Sequence, residues 1–295
     1  MNEYSSLGAA IKDIFGEGIT ITDRRSVSGG DINDAYALQL SDGSKVFMKS
    51  NRKENHDFFR AEAEGLEAIH SCNAIKTPAI LGRGTDRDFS FLLLGFINGG
   101  RRRADFFIKF GQELAALHEA DTARFVNGGR YGFQSDNYIG AGHQKNTCAE
   151  SWTDFFRRCR LEPQFKRAET YFDKGDLKLI NRLLDRLDEL LTEPEKPSLI
   201  HGDLWGGNYM AGDDGSAWLI DPAAYVGCSE ADIAMTELFG GFHRDFYSAY
   251  YEVRPKLPGY EDRREIYNLY HLLNHLNLFG AGYLSSVRAI VKKFA

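Results

Sequence analysis

The feature that most constrains this chain is the stretch His201-Gly-Asp-Leu-Trp-Gly-Gly-Asn208, which is followed by Leu219-Ile-Asp221-Pro222. It contains an aspartate, an asparagine five residues later and a second aspartate thirteen residues after that. Phosphoryl transfer from a nucleoside triphosphate uses such a set: one carboxylate takes the proton of the acceptor hydroxyl, while an amide oxygen and a second carboxylate hold Mg²⁺ against the phosphates. We therefore expect a phosphoryl-transfer site, presented between short strands.

The stretch is a variant of the protein-kinase catalytic loop, H-R-D-x-x-x-x-N, which a metal-binding aspartate follows on a later strand. Gly202 stands in place of the arginine, and Asp221-Pro222 stands in place of D-F-G. This variant is typical of small-molecule kinases with a kinase-like fold. A polar turn between two strands is the alternative interpretation, and the correctly spaced downstream aspartate disfavours it.

A kinase-like site also needs a cation on the nucleotide phosphates, held in place by a carboxylate. Lys49 ends the segment Val46-Phe-Met-Lys49 on the predicted third strand, which matches the V-A-I-K pattern. The helix that follows offers Glu62 and Glu64, one on each side of Ala63, which lies on the apolar face. Spacing alone therefore does not decide which glutamate would pair with Lys49.

Two further segments are candidates for nucleotide contacts. The turn Ser28-Gly29-Gly30-Asp31-Ile32-Asn33 comes one hairpin strand before Lys49, and its glycines would let backbone N–H groups approach a phosphate. An ordinary hairpin turn is the alternative. Phe96, Ile97 and Asn98 would offer backbone groups to the adenine edge where the two halves of the chain meet.

Hydrophobic periodicity divides the chain near Asn98-Gly99-Gly100. Residues 1–97 are predicted to be strand-rich with one helix at about His56–His70, and an Asp-Gly turn at residues 41–44 predicts a hairpin. Residues 98–295 are predicted to be mainly helical. We therefore expect an α+β, bilobal protein-kinase-like fold with a β-rich N-lobe (1–97), a helical C-lobe (98–295) and the nucleotide in the cleft between them.

Two predictions within the C-lobe concern helix ends and interruptions. Residues 152–171 are expected to form one helix despite Pro163. A further helix is expected at Leu177–Leu191, with Asp176 as its N-cap.

Charge and cysteine content limit the possible classes of function. The net charge of −6 disfavours a nucleic-acid binder, which usually has a basic surplus. The four cysteines form no C-x-x-C pair and fit a reducing cytoplasm. No signal peptide and no membrane-length apolar run is evident in the sequence. We expect a cytoplasmic monomer or weak dimer, with neither nucleic acid nor membrane as a partner.

With these residues assembled, the chain resembles the fructosamine kinase (ketosamine-3-kinase) family. The motifs that carry the resemblance run nearly from end to end. They are Gly29-Gly30-x-Ile32-Asn33, the Lys49 strand, Glu62-Ala-Glu-Gly65-Leu66, Leu114-Ala-Ala-Leu-His118, Tyr131-Gly-Phe133, Asp136-Asn-Tyr-Ile-Gly140, Trp152-x-x-Phe155-Phe156, His201 to Asn208, Asp221-Pro-Ala223, Glu230 to Gly241 and Leu272 to Gly280.

The resemblance implies a fold related to aminoglycoside phosphotransferases and an ATP- and Mg²⁺-dependent phosphorylation of the sugar 3-hydroxyl of ketosamines. The phosphorylated adduct then breaks down and frees the amine, so the implied role is deglycation. By matched motif positions, the resemblance makes Asp203 the base and Asn208 and Asp221 the Mg²⁺ ligands.

The resemblance also assigns the groups around the reacting centre. Lys49 would hold phosphates with Glu62 behind it. Trp205 would form a wall for the sugar and His275 would line the same pocket, with core packing as the alternative for both. Many eukaryotic relatives carry cysteine where this chain has Asp31, so a thiol-based switch is not expected at that loop.

Two other functions are compatible with the sequence. One is an aminoglycoside- or choline-type small-molecule kinase, whose cationic substrate would be expected to meet an acidic cluster; Glu230, Asp232 and Glu237 could form one. The other is a nucleotide-binding protein that has lost catalysis. The complete set of candidate catalytic groups disfavours this second alternative.

Overall fold

The computed structural model describes residues 2–27 and 32–295, so the predicted phosphate-covering glycines, Gly29 and Gly30, and Asp31 lie outside the described residues. A β-rich N-terminal lobe precedes a mainly helical lobe. The predicted α+β, bilobal, kinase-like class is therefore confirmed.

The described part of the N-terminal lobe has strands and helices in the following order: β1 (Glu3–Tyr4), α1 (Leu7–Phe15), β2 (Ile21–Ser26), β3 (Asp34–Leu40), β4 (Lys45–Arg52), α2 (His56–His70), β5 (Ile80–Asp86) and β6 (Phe89–Gly95). The strands form one sheet in the order β1-β5-β6-β4-β3-β2. Neighbouring strands are antiparallel except β1 and β5, which are parallel.

The expectation of a single helix in this lobe is wrong, because α1 is a second one. The amphipathic pattern of α1 is short, and the helix buries Leu7, Ala10 and Ile11 against the sheet. The side chain of Ser6 caps the helix by accepting a hydrogen bond from the backbone N–H of Ala9 (3.1 Å).

The predicted hairpin is formed by β3 and β4, and it gives Lys49 its position. Lys49 lies opposite Ala35 on β3 and opposite Leu92 on β6, so it sits within the sheet and not on an edge strand. Alternation along β4 buries Val46 and Met48 on the face that packs against α1. Lys49 is therefore on the other face of the sheet, which α2 covers.

The C-terminal lobe follows β6 through an irregular segment. Its helices and strands, in chain order, are α3 (Phe106–Glu119), β7 (Asn137–Ile139), β8 (Gly142–Gln144), α4 (Trp152–Phe156), α5 (Glu162–Arg167), α6 (Lys174–Asp185), α7 (Leu187–Leu190), β9 (Ser198–Ile200), β10 (Tyr209–Ala211), β11 (Ala217–Leu219), β12 (Tyr225–Gly227), α8 (Ser229–Leu238), α9 (Arg244–Val253), α10 (Tyr260–Phe279) and α11 (Leu284–Phe294). The strands pair as β7–β8, β9–β12 and β10–β11.

Two helix predictions in this lobe need correction. The helix expected over residues 152–171 is interrupted by a π-helical turn at Arg157–Leu161, and Pro163 follows this turn directly. Pro163 has no N–H for the carbonyl of Cys159, four residues before it, and that oxygen accepts from Arg160 Nη1 (2.9 Å). The next helix begins at Lys174 and is capped by Asp173, not by Asp176. Asp173 and Asp176 form a reciprocal capping box, so both acidic residues belong to the helix start.

One large apolar core joins the C-terminal helices, and the short strand pairs lie against it. The residues between β9 and β10 form the loop 201–208, and Asp221 follows β11. In the part of the chain that the structure describes, no helix combines the length and hydrophobicity needed to cross a lipid bilayer.

Candidate active site

The loop 201–208 is fixed through its backbone by one buried carboxylate. Asp232 on α8 accepts hydrogen bonds from the N–H groups of His201 (2.6 Å) and Gly202 (2.8 Å). His118 Nε2 lies 3.3 Å from the same carboxylate. Burial acts to raise the pKa of Asp232, but the hydrogen bonds from His118 and the loop outweigh it and lower the pKa overall. An ionised carboxylate with these donors holds the loop rigidly.

His201 and Gly202 shape the start of the loop. The His201 ring is buried; its Nε2 donates to Ile220 O (2.9 Å) and its Nδ1 accepts from the N–H of Asp203 (3.3 Å), which assigns the neutral Nε2–H tautomer. Burial also lowers the pKa of His201. Gly202 has φ 80°, and a Cβ there would lie 2.2 Å from Ala223 O. Glycine is therefore required where protein kinases carry arginine.

Asp203 and Asn208 are in direct contact. Asn208 Nδ2 donates to the backbone O (2.7 Å) and to Oδ2 (3.1 Å) of Asp203. Burial raises the pKa of Asp203 to about 7; the Asn208 hydrogen bond opposes the rise, and the nearby charges of Asp221 and Asp232 add to it. A carboxylate whose pKa lies near neutrality can both accept and release a proton at physiological pH.

Lys49 is buried between two carboxylates that come from different lobes. Its Nζ lies 2.6 Å from Glu62 Oε1 on α2 and also contacts the carboxylate of Asp221. Burial acts to lower the pKa of Lys49, but the charges of Asp221 and Glu62 outweigh it and raise the pKa. The choice between Glu62 and Glu64, which spacing left open, is resolved: Glu64 instead bonds Arg60 (2.6 Å).

Asp221 has a backbone conformation that is uncommon for its residue type. Its φ of 57° lies in the left-handed region, which aspartate adopts more readily than most non-glycine residues. The turn carries the chain from β11 to Pro222 and presents the carboxylate to Lys49. Asp203, Asn208, Lys49 and Asp221 therefore lie at one cleft between the lobes.

An aromatic track leads away from this cleft. Trp205 is 40% exposed and its ring centroid lies 6.4 Å from that of Phe239, which is 37% exposed. Phe239 in turn lies 4.8 Å from His275, and His275 lies 5.4 Å from the exposed Phe279. Trp205 and His275 are thus connected through Phe239 and not directly. Sequence reasoning missed Phe239 and Phe279, because hydrophobic spacing alone does not separate an exposed aromatic residue from a core one.

The predicted hinge residues lie where the lobes meet. Phe96, Ile97 and Asn98 follow β6 directly, and exposure increases from the half-buried Phe96 to the exposed Asn98. Gly99 then forms an isolated bridge with Gly212, which follows β10. The hinge backbone therefore lies next to the residue that follows β10.

The acidic residues considered for a cationic acceptor do not form an open cluster. Glu230 is paired with Arg263 through two short contacts (2.7 and 2.8 Å), and Glu237 is paired with Arg264 (2.5 Å). Asp232 holds the loop 201–208, as described above. The expectation that these three carboxylates could form a site for a cationic acceptor is therefore wrong, because each is neutralised or hydrogen-bonded within the protein.

Asn208 and Asp221 fit a magnesium ion that is bound jointly by the protein and by the phosphates of a nucleotide. Among residues 2–27 and 32–295, no group of three or more His, Cys, Asp or Glu side chains could hold a metal on its own. Mg²⁺ is commonly bound by one or two carboxylates together with substrate phosphates and water. The amide nitrogen of Asn208 points to Asp203, so the amide oxygen of Asn208 points away from Asp203. The carboxylate of Asp221 already binds one cation, the ammonium group of Lys49. Both oxygens suit a hard cation.

The fold and this group of side chains define a phosphotransferase of the kinase-like class. The family model described as fructosamine kinase matches residues 4–295. The chain belongs to the fructosamine kinase family, which confirms the predicted family and enzyme class.

Individual relatives agree over nearly the whole chain. A Synechocystis protein named as a probable ketoamine kinase is 39% identical over 98% of this chain and 96% of its own length. A chloroplastic protein-ribulosamine 3-kinase of Oryza sativa is 38% identical, over 95% of this chain and 80% of its own. A solved structure from Haemophilus somnus, named as a candidate fructosamine-3-kinase, has a TM-score of 0.86 and 30% identity, and covers 98% of this chain and 96% of its own.

We predict that Asp203→Asn stabilises the folded protein at alkaline pH. The pKa of Asp203 is about 7 in the folded protein and near its ordinary value of 3.8 in the unfolded chain. Between pH 3.8 and pH 7 the carboxyl is therefore protonated in the folded state but ionised in the unfolded state, and the folded protein loses stability as pH rises through this range. The neutral amide avoids that loss. The gain in free energy of unfolding should be on the order of 1–3 kcal/mol above pH 7 and should shrink toward pH 4.

Denaturant unfolding of both proteins between pH 5 and pH 8 measures this difference. Asp213→Asn, at an exposed position in the turn between β10 and β11, is the matched control and should show no such pH-dependent gain. A gain for Asp203→Asn that is constant with pH, or that falls as pH rises, would show that the pKa of the Asp203 carboxyl is not raised in the folded protein.

Proposed function

We propose that this protein transfers the γ-phosphoryl group of ATP to the 3-hydroxyl of a ketosamine, the sugar adduct of an amine. The observation that carries the proposal is the buried Lys49, held between Glu62 and Asp221 at the cleft that also contains the Asp203–Asn208 pair. The names of the relatives, ketoamine kinase and protein-ribulosamine 3-kinase, support ketosamines as the acceptor class.

Asp203 is the proposed base. It takes the proton from the acceptor hydroxyl as that oxygen forms its bond to the γ-phosphorus and the bond to the departing ADP breaks. Its pKa of about 7 leaves a substantial fraction deprotonated at neutral pH. Asn208 orients the Asp203 carboxylate through its Nδ2, and the loop anchored by Asp232 keeps both in place.

Lys49 is the proposed phosphate-binding cation. Glu62 keeps it charged and directed into the cleft, as in kinases where a strand lysine and a helix glutamate pair. Mg²⁺, held by Asn208 and Asp221, would neutralise charge on the phosphates. Lys49 and Mg²⁺ together would let the transferring group approach the acceptor oxygen with less electrostatic repulsion.

Under this proposal, each lobe binds one of the two substrates. Residues 1–97 would bind the nucleotide phosphates, including through Gly29 and Gly30, and residues 98–295 would bind the acceptor and carry the base. Phe96, Ile97 and Asn98 would contact the adenine edge. The neighbouring fold of aminoglycoside phosphotransferase APH(4)-Ia, solved with ADP and hygromycin B, supports a nucleotide in this cleft through fold alone (TM-score 0.64, 16% identity).

The aromatic track is the proposed acceptor wall. A core residue would be buried, whereas Trp205, two residues after Asp203, and its neighbour Phe239 are both exposed to solvent. Aromatic faces bind the C–H surface of a sugar, and they also attract a cation such as the protonated amine of a ketosamine. These exposures support a substrate role for Trp205 over core packing, with His275 placed behind Phe239.

Neither alternative function receives comparable support. The carboxylates expected for an aminoglycoside-type acceptor are internally paired, and the likeness to aminoglycoside phosphotransferases is one of fold. A protein without catalysis would not need Asp203, Asn208, Lys49 and Asp221 at one cleft. Release of the amine from the phosphorylated adduct would make deglycation the biological role. The cytoplasmic location and the oligomeric state stay predictions.

The proposed function predicts Mg²⁺-dependent ADP formation with a ketosamine acceptor. A panel of a ribulosamine, a fructosamine, an aminoglycoside and choline, each with MgATP, should give turnover on the ketosamines. Asp203→Ala should lower that turnover about 10²- to 10⁴-fold while nucleotide affinity stays nearly unchanged. Turnover confined to the aminoglycoside or choline would contradict the ketosamine assignment, and near-normal turnover in Asp203→Ala would contradict the base.

We further predict that Trp205→Leu raises the KM for the ketosamine by about 5- to 30-fold, because the sugar and its amine lose an aromatic face. The KM for MgATP should stay within about twofold of that of the unmodified protein, since Trp205 does not touch the Lys49 ion pairs. Ile108→Ala, which truncates another exposed apolar residue, is the control. Equal effects on both KM values would show that the ring supports the loop and does not bind the acceptor.

A further inference from the structure

A segment of the C-lobe, residues 135–146, contacts both sides of the cleft; it contains β7 and β8, and we name it the bridging hairpin. On the N-lobe side it is tied to α2 by Arg60. The Arg60 guanidinium pairs with Asp57 (2.6 Å) and Glu64 (2.6 Å), and it also donates to Ser135 Oγ (3.2 Å) and to Asp136 O (3.4 Å). Ser135 Oγ in turn donates to Glu64 Oε2 (2.5 Å). Arg60 thus neutralises two carboxylates of α2 and joins the helix to the hairpin.

A tyrosine and the hairpin tip add further contacts with the N-lobe. The hydroxyl of Tyr138 donates to Asp57 Oδ2 (3.0 Å), and its ring centroid lies 4.2 Å from that of Phe58. At the tip, Gly140 has φ 59°, and a Cβ there would lie 3.1 Å from Ile32, just before β3. The hairpin therefore holds α2 along its side and approaches the start of β3 with its tip.

The other side of the bridging hairpin binds the segment that follows Asp221, the proposed metal ligand after β11. Asn137 Nδ2 donates to Ala224 O (2.8 Å), and Gln144 Nε2 donates to Ala223 O (3.0 Å). Asn137 Oδ1 accepts from Gln144 Nε2 (2.8 Å) and from Asn146 Nδ2 (2.9 Å). These amides are buried and hydrogen-bonded to one another, which makes the connection rigid.

The helix α2 also meets this segment directly. A Cβ on Gly65 would lie 3.3 Å from Pro222 Cγ and 3.4 Å from the Cβ of Ala224. The absence of a side chain at Gly65 therefore permits a close approach between α2 and the residues after Asp221. A shift of α2 away from the hairpin would break this contact as well.

We propose that the bridging hairpin positions Glu62 and Asp221 around Lys49, with Arg60 as the main positioning residue. Glu62 lies between Arg60 and Glu64 on α2, so a helix released from the hairpin would carry Glu62 away from Lys49. The hairpin anchors the Asp221 segment as well, and so both carboxylates of the Lys49 ion pairs depend on it.

This inference rests on the proposed function, because it concerns the affinity of the Lys49 site for a nucleotide. Arg60→Gln removes both ion pairs of α2 and weakens the link to Ser135. We expect it to raise the Kd for the Mg²⁺ complex of AMP-PNP, a non-hydrolysable ATP analogue, by about 5- to 30-fold in calorimetric titration. The KM for MgATP should rise with it while the KM for the acceptor stays the same, and Arg60→Lys should recover part of the affinity.

A double-mutant cycle separates positioning from general stabilisation. In a Glu62→Gln background the partner of Lys49 is already lost, so Arg60→Gln should raise the Kd no further. A purely structural Arg60 would lower the melting temperature and weaken binding equally in both backgrounds. Arg158→Gln, which removes a helical ion pair with Asp154 on α4, is the matched control and should leave the Kd unchanged.

The outcomes distinguish this inference from the proposed function. An unchanged Kd in Arg60→Gln, or additive losses in the cycle, would overturn the positioning role. A protein that binds the nucleotide analogue but phosphorylates no ketosamine would overturn the proposed function alone. Absence of nucleotide binding by the unmodified protein would overturn both. If Arg60→Gln does not fold, Tyr138→Phe removes only the hydroxyl contact with Asp57 and should raise the Kd by about two- to fivefold.

Discussion

The ion pairs of one buried lysine connect the two lobes of this protein. Lys49 comes from the central part of the N-terminal sheet, Glu62 from the helix that covers the sheet, and Asp221 from the C-terminal lobe. A buried ammonium group is strongly unfavourable without partners, and removing one partner from a buried ion pair typically costs about 3–5 kcal/mol. The need to neutralise Lys49 therefore holds α2 and the segment after β11 close together and gives the cleft its shape.

Three aspartates near the cleft have different surroundings. Asp232 receives enough hydrogen bonds to stay ionised although it is buried, and it fixes the loop backbone. Asp221 contacts a cation directly. Among the residues that the structure describes, Asn208 alone donates a side-chain hydrogen bond to Asp203, and burial raises the pKa of Asp203 to about 7. Different surroundings thus suit chemically identical groups to an anchoring position and to the proposed roles of cation ligand and base.

The proximity of Asp203, Asn208 and Asp221 was predictable because the three residues are close in sequence and phosphoryl-transfer chemistry fixes their spacing. Other features depend on contacts between residues far apart. Hydrophobic periodicity made Glu62 and Glu64 equally good candidates for the partner of Lys49. The contact between Lys49 and Glu62 in the folded protein identifies Glu62 as the partner. The short helix α1 was missed because a nine-residue amphipathic pattern is weak, and the π-helical turn at Arg157–Leu161 has no clear sequence signal. The acidic residues Glu230 and Glu237 suggested an open cluster because the arginines that neutralise them lie on α10.

The position of the phosphate in the product tests the proposed ketosamine 3-kinase activity most directly. After incubation of the protein with MgATP and a purified ribulosamine, two-dimensional ³¹P–¹H nuclear magnetic resonance would identify the sugar proton coupled to the new phosphorus signal. A ketosamine 3-kinase should give coupling to the proton on carbon 3, and the signal should be lost when Asp203 is replaced by alanine. Coupling to another sugar proton, or phosphate released only to water, would contradict the proposed ketosamine 3-kinase.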